Sequence, residues 1–440
     1  MKTKILSFVC IICLLCCSLI TLTSCKMEPV SGIVGAQIND RGELILSYRD
    51  GSEQNLGVVV GKDGSDGTNG QDGALVINGY ENGIAAASAK GLRSAVSIVC
   101  NFQTTVQQGG WRPGFGSTTT KNYSSAGSGV IYQLNKDEGD AFIITNYHVV
   151  YDASSNADNG ISRDISIYLY GSASEENAIK ATYVGGSIYY DIAVLRVEDS
   201  ELLKNSNACQ IDSSDSDQVA VGDSAIAIGN AEGYGISVSS GIVSVDSEYI
   251  TMTAADGRTE VSFRVMRVDT AVNSGNSGGG LFDGKGNLIG IVNAKIVDDG
   301  VENIGYAIPS NVAISIADNI IDYCFGTETE RVQRALLGIT VNASGSRAVY
   351  DTETGRICIQ ETVSVYEVNK DSLAEGVLQK GDVLLAATRN GQKTEITRQY
   401  HVIDMMLDVR VGDVVMLDIL RDGEKSTVQM TITEDCLTAY

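Results

Sequence analysis

The chain has 440 residues, too many for one ordinary hydrophobic core, so two or three folded units are expected once any targeting segment is set aside. With 55 acidic against 32 basic residues its formal charge is -23, which repels nucleic acid and anionic head groups and argues against a polyanion as partner. Aromatic residues make up only 6%, yet 43% hydrophobic residues, 48 glycines and 3 prolines describe β-rich domains joined by tight turns, not a disordered polymer.

At the start, Lys2 and Lys4 precede an apolar stretch from Ile5 to Ile20, the layout of an export signal, and the segment ends in Leu22, Thr23, Ser24 and Cys25. That ending resembles the lipobox of bacterial lipoproteins, in which cleavage precedes a cysteine that carries the lipid. The resemblance implies loss of residues 1–24, acylation of Cys25 and tethering to the outside of a bacterial cell membrane; an uncleaved membrane helix is the other reading, and it too exports the remainder. Cys10, Cys13, Cys16 and Cys17 belong to the signal, which leaves Cys100, Cys209, Cys324, Cys358 and Cys436. These are odd in number and widely spaced, with no CxxC pair, so buried unpaired thiols are expected.

Residues 25–85 read as a tether. The strand-like runs GELILSYRDG and NLGVVVG suggest a small hairpin, followed by GKDGSDGTNGQDG with Gly61, Gly64, Gly67, Gly70 and Gly73 at every third place. The period imitates collagen, but the stretch lacks proline and is too short for a triple helix. From about residue 86 to 326, apolar runs rich in Val and Ile recur between Gly, Asn and Asp turns: AVSIVCNF, GSGVIYQL, AFIITNYHVV, ISIYLYG, DIAVLRV, SAIAIGN, SVSSGIVSV, FRVMRVD and LIGIVNA. This is the pattern of strands buried in barrels. A helix follows Pro309 in IPSNVAISIADNIIDYCFG, with Ser310 as its candidate cap. A second β-rich unit spans residues 335–435, with an amphipathic helix near ITRQYHVIDMMLDV.

The chain holds two histidines, His148 and His401. His148 ends the run AFIITNYHVV, where a strand stops and can present a general base to a cleft. A serine attacks a carbonyl only when such a base takes its proton, and the base works best with a carboxylate fixing its tautomer. Asp191, directly before the apolar run IAVLRV, is the best candidate, because an acid there is costly to bury without a partner. In GNSGGGLF, Ser277 lies among glycines that let the backbone turn N–H groups toward a developing oxyanion. A phosphate cradle is a poor alternative, since neither GxGxxG nor GxxxxGK[ST] is present.

In this order, TNYHVV, YYDIAVL and NSGNSGG resemble the trypsin-like serine proteases, and more closely the HtrA (Deg) family of exported bacterial proteases. The blocks GSGVIY, VGDSAIAIGNAEGYGISVSSGIVS, VDTAVNSGNSGGGLFDGKGNLIGIVNA and IGYAIPSN carry the likeness across roughly residues 92–323. The fold it implies is mainly β: a chymotrypsin-like double β-barrel followed by a PDZ domain, a partly open barrel with helices. It implies Ser277 as nucleophile, His148 as base then acid, and Asp191 as orienter, with no metal or organic cofactor. Gly275, Asn276 and Ser277 would form the oxyanion hole, and Ala271 and Asn293 would meet the substrate. With Ala271 flooring the specificity pocket, cleavage after small or aliphatic residues is expected.

Two positions depart from the family, Gly280 and Ala231, each standing where proline is usual, and both are expected to loosen the backbone. The stretch QTTVQQGGWRPGFGSTTTKNYSS, with Trp111, lies where the family carries a regulatory loop. Arg334, Ala335, Leu336, Leu337, Gly338 and Ile339 resemble the PDZ loop that receives a peptide carboxylate, and the ligand would add as a strand in the neighbouring groove. His401 lies on the helix that would line it. The resemblance thus implies unfolded proteins and peptides as substrates, peptide C-termini at the PDZ domain and association of three copies, while a latent or chaperone-like peptide-binding protein is the alternative function.

Overall fold

Strands, many of them rich in Val and Ile and bounded by turn residues, are the main element of the described chain, which in this computed structural model comprises residues 33–41, 43–49, 51–58, 83–108, 117–156, 158–172, 174–294, 304–352 and 354–440. It divides into two units, Met1–Val76 and Ile77–Tyr440. The first holds a three-stranded antiparallel sheet of β1 (Ile33–Ile38), β2 (Glu43–Tyr48) and β3 (Glu53–Val58), one strand more than a hairpin. Asn39 fixes its first turn by accepting from the Arg41 and Glu43 N–H groups at 2.9 and 3.0 Å. Cys25 and the glycine repeat lie outside the described residues, among which no helix is long and apolar enough to cross a membrane.

The second unit opens with helix α1 (Ile84–Leu92). A closed barrel follows, made of β4 (Ala95–Gln108), β5 (Ser117–Asn135), β6 (Asp140–Thr145), β7 (Asp164–Leu169), β8 (Ile179–Ser187) and β9 (Ile192–Val197), in the order β4-β5-β6-β9-β8-β7. Ile98, Ile131, Ile143, Ile165 and Leu195 fill it. The expected regulatory loop instead continues the barrel strands, because β4 and β5 stay paired out to Gln108 and Ser117; Trp111 lies outside the described residues. A second barrel, β10-β11-β12-β15-β14-β13, is built from β10 (Ser224–Gly229), β11 (Ser237–Thr253), β12 (Glu260–Val268), β13 (Gly280–Phe282), β14 (Leu288–Val292) and β15 (Gly305–Pro309). Closure leaves neither barrel an edge for stray pairing.

Two one-turn helices, α2 (Tyr147–Val150) and α3 (Glu201–Lys204), punctuate the first barrel and the segment after it. Helix α4 (Ser310–Cys324) starts directly after Pro309, whose fixed φ suits a helix entrance. Ser310 does not cap it: its hydroxyl donates to the Ser214 carbonyl at 3.0 Å. Val312, Ile316 and Ile320, four apart on one face, enter a core shared with Val194 of the first barrel and Ile226 and Phe263 of the second. The five cysteines among the described residues are free, and burial pushes the thiols of Cys100 and Cys324 up to about 12.

A third β-structure follows. Strand β16 (Gln333–Ala335) pairs with β23 (Leu437–Ala439), and a sheet runs β17-β18-β19-β21-β22 with β20 (Gln392–Glu395) on β19. Its strands are β17 (Ile339–Asp351), β18 (Arg356–Val368), β19 (Val383–Arg389), β21 (Val414–Arg421) and β22 (Glu424–Thr431). Helix α5 (Gln399–Asp408) covers this sheet with Val402 and Met406, while its Leu407 turns into the core beside α4. The Arg264 side chain, 3% exposed, joins the second barrel to α5: Nη1 lies 2.9 Å from Asp217 Oδ1 and Nε 3.1 Å from Asp404 Oδ2. Its guanidinium stacks 3.9 Å from the Tyr400 ring centroid.

Candidate active site

His148 sits in α2, directly after β6, and the turn is anchored before it: the Asn146 side chain and the Tyr147 N–H both donate to the Asp191 carbonyl, at 2.8 and 3.1 Å. Asp191 ends the four-residue turn between β8 and β9, whose flanking pair is Ser187 and Ile192. Its φ of 53° is left-handed, a conformation that costs an ordinary residue roughly 1–2 kcal/mol. Three donors converge on its buried carboxylate. The His148 N–H reaches Oδ1 at 2.9 Å, while His148 Nδ1 and Asn293 Nδ2 reach Oδ2 at 2.6 and 2.7 Å. Because a carboxylate only accepts, Nδ1 carries the imidazole proton and Nε2 is left to receive one.

Ser277 comes from the second barrel, in the loop between β12 and β13, and is 5% exposed. The glycines around it answer to space. Gly275 has φ +90°, and a Cβ there would stand 2.3 Å from the Asn230 carbonyl; at Gly278, φ +82°, it would stand 2.2 Å from the Ser128 carbonyl. Ser128, on β5 of the first barrel, holds the loop from the other side. Its N–H donates to the Ser277 carbonyl at 2.9 Å and its hydroxyl to the Gly275 carbonyl at 2.7 Å. The nucleophile loop is therefore clamped between the barrels.

The Asn276 N–H closes a turn on the Asn273 carbonyl at 3.0 Å, so it is not available to an oxyanion. The oxyanion hole thus loses one of its three expected members. Among the described residues the N–H groups of Gly275 and Ser277 have no protein acceptor, and these two remain as donors. Ser277 Oγ accepts from the Ala294 N–H at 3.2 Å, and among the described residues no hydrogen bond joins it to His148.

Asn293 is also corrected. It is wholly buried with its side chain engaged by Asp191, so it orients the carboxylate from behind instead of meeting substrate. Ala271 is exposed at the start of the loop, its carbonyl accepting from the Ser239 hydroxyl at 2.8 Å. Gly280 does not loosen its surroundings, because the Phe282 ring occupies the space a side chain would need, 2.5 Å from a Cβ. Ala231 is steadied by its neighbour Asn230, whose N–H donates to Ser128 Oγ at 2.7 Å and whose side chain reaches Ser97 Oγ at 2.6 Å.

In the C-terminal structure Arg334 and Ala335 belong to β16, and Leu337 is a core residue, 3% exposed, so it lines no groove. Leu336 is exposed, but its N–H donates to the Cys436 carbonyl at 2.9 Å. Gly338 has φ +77°, with a Cβ position 2.1 Å from Ser372 Cβ. The Leu337 and Gly338 N–H groups lack protein acceptors among the described residues. Ile339 opens β17, an edge strand of its sheet. His401 faces the cleft toward Asp217 and Arg264, and burial lowers its pKa.

Sequence reasoning missed Ser128 and Asn146. The signal for Ser128 was the flanking pair Gly127 and Gly129, where a Cβ would collide with Val149 or Ile143, a mark of crowding on both sides of the strand.

The trypsin-like peptidase domain family matches residues 127–291. The chain is 30% identical over 369 residues to the serine protease Do-like HtrA of Lactococcus lactis subsp. cremoris (strain MG1363), covering 80% of this chain and 83% of that protein. It is 28% identical over 335 residues to the periplasmic serine endoprotease DegP of Escherichia coli (strain K12), covering 76% and 62%. A solved structure, HtrA-type protease AlgW with decapeptide, is 24% identical with a TM-score of 0.49, covering 81% of this chain and 99% of that one. The likeness to the Lactococcus protein covers four fifths of this chain, and the chain belongs to the HtrA family of serine proteases, as a serine endopeptidase.

Proposed function

We propose that this endopeptidase is exported, tethered through a lipid on Cys25, and cleaves unfolded or damaged proteins by an acyl-enzyme route, with residues 335–435 acting as a PDZ domain for peptide C-termini. The reading is supported by the His148–Asp191 pair on the first barrel, by the Ser277 loop that Ser128 holds against that barrel, and by the unclaimed N–H groups of Gly275 and Ser277. Ser277 Oγ attacks the scissile carbonyl carbon and its proton passes to His148 Nε2, while Asp191 stabilises the imidazolium and the two N–H groups hold the oxyanion. The intermediate collapses as Nε2 gives the proton to the leaving amine. Water then repeats the sequence on the ester and frees Ser277.

The aliphatic preference follows from Ala271, which offers no counter-charge to a basic side chain. At the C-terminal domain, the free N–H groups of Leu337 and Gly338 suit a carboxylate, and the edge of β17 suits an added strand. Export is supported by the periplasmic relative and the signal-like start, and the association of three copies that the family resemblance implies is part of the same reading.

A fluorophosphonate probe tests the site: labelling mapped to Ser277 is expected, and labelling elsewhere or nowhere overturns the reading. The hydrogen bond from Ala294 to Ser277 Oγ favours a second reading, a latent protease released by a peptide in the PDZ groove. Labelling that needs a hydrophobic C-terminal peptide would select it.

A further inference from the structure

The turn that presents Asp191 is braced from outside its barrel. Its residues Tyr189 and Tyr190 meet the ring of Tyr440, at centroid distances of 4.4 and 5.8 Å and interplanar angles of 39° and 40°. The Arg334 guanidinium lies 5.3 Å from the centroid of the same ring. Tyr440 is itself held, since its N–H donates to the carbonyl of fully buried Val332 at 2.8 Å. The preceding residues 437–439 pair with β16. The stem of the turn is tied to the same ribbon: the Gly186 N–H donates to the Glu330 carbonyl at 3.0 Å, and Gly186 bridges to Arg331.

We propose that Tyr440 is a positioning residue of the triad, which acts by holding the Tyr189–Tyr190 turn so that Asp191 keeps its left-handed conformation and its carboxylate stays on His148 Nδ1. Asp191 departs from the backbone region its side chain prefers, and a strained residue persists only where its surroundings over-determine it. The carbonyl of Asp191 is fixed from within by Asn146 and Tyr147, but the two residues before it lean on Tyr440. Without that ring the turn can relax, and a displacement of a fraction of an ångström at Oδ2 weakens the partner that His148 needs when it becomes an imidazolium. The inference rests on the triad reading above and adds to it a residue some 250 positions away in sequence from the turn it serves.

The test uses the full chain with Tyr440→Ala and Tyr440→Phe, kcat and KM measured on a chromogenic peptide, and active sites counted by fluorophosphonate incorporation. Expected is a fall in kcat of about tenfold or more for Tyr440→Ala with KM little changed, and recovery in Tyr440→Phe, which keeps the ring. Combined with Asp191→Asn, Tyr440→Ala should cause no further loss, because the group it positions is already disabled. If Tyr440→Ala fails to fold, Tyr189→Ser removes the same contact from the other side and should show the same pattern. Unchanged kcat in a folded variant overturns the proposal, as does an equal fractional loss in the Asp191→Asn background, which marks a purely structural role. If Asp191→Asn alone keeps the parental rate, the triad assignment fails and takes this proposal with it, whereas the proposal can fail with the triad intact.

Discussion

The two places where this molecule would meet a peptide are prepared in opposite ways. Around Ser277 the loop and the carboxylate are fixed from within: Ser128 donates to two carbonyls of the nucleophile loop and Asp191 receives three donors, while the Gly275 and Ser277 N–H groups stay open. At Leu337 and Gly338 the N–H groups have no protein acceptor among the described residues, and on the nearby edge of β17 the Gln399 Nε2 donates to the Val341 carbonyl at 3.1 Å. A reaction needs groups fixed before the substrate arrives, so that no reorganisation is left for the transition state. A strand-accepting groove needs the reverse, backbone valences that only the ligand can fill.

Four substitutions would break or sharpen this contrast. Ser277→Ala should lower peptide hydrolysis by about a million-fold, with folding retained, as measured by turnover and circular dichroism. Casein turnover equal to the parent's would end the comparison at its first term. Asn293→Ala removes one of three donors to Asp191, and a lost hydrogen bond to a charged group predicts a fall in kcat of roughly ten- to a hundredfold, with KM nearly constant. A change in KM alone would return Asn293 to the substrate pocket.

The third concerns the joint between the two regions. Burial pushes the Asp404 carboxyl up to about 7, against the pull of Arg264 and Arg334 and with the help of Asp217 and Asp408. The folded chain then holds a proton that the unfolded chain, with a carboxyl near 3.9, releases. This contribution to stability is full below about pH 4 and is lost as pH rises through about 7. The melting temperature of Asp404→Asn relative to the parent should therefore be higher at pH 8 than at pH 5, and a flat difference would refute it. The smallest effect is expected at the groove. Gln399→Ala frees the Val341 carbonyl and should tighten binding of a hydrophobic C-terminal peptide by a few-fold, about the worth of one net hydrogen bond, whereas weaker binding in fluorescence anisotropy would make Gln399 a ligand contact.

What could be read from sequence was local. His148, Asp191 and Ser277 each stand in a short run whose neighbours betray them, and both long helices followed from the spacing of their apolar residues. Strand β8 escaped notice because IKATYVGGS ends in two glycines that read as a turn. Their small size answers instead to α4 and Tyr147, since a Cβ on Gly185 would meet Ile320 and Cys324 and one on Gly186 the Tyr147 ring. Strand β13 has three residues, too few to show a period. Asn293 and Asp404 were misjudged or overlooked for one reason: their partners come from elements far along the chain, and only packing brings them near. Gly280 was misread for a related cause, because the ring that fills its space belongs to a neighbour whose direction no local pattern gives.

The clamp of Ser128 on the nucleophile loop has a consequence for the chain's own survival. Two members of the proposed triad belong to one barrel, the third belongs to the other, and the hydrogen bonds that shape the loop around Ser277 cross between them. A polypeptide with only one barrel closed therefore carries neither a complete triad nor a formed loop. With the triad as proposed, self-digestion by nascent or partly melted copies would be denied by geometry, and proteolytic capacity would arrive together with the finished fold.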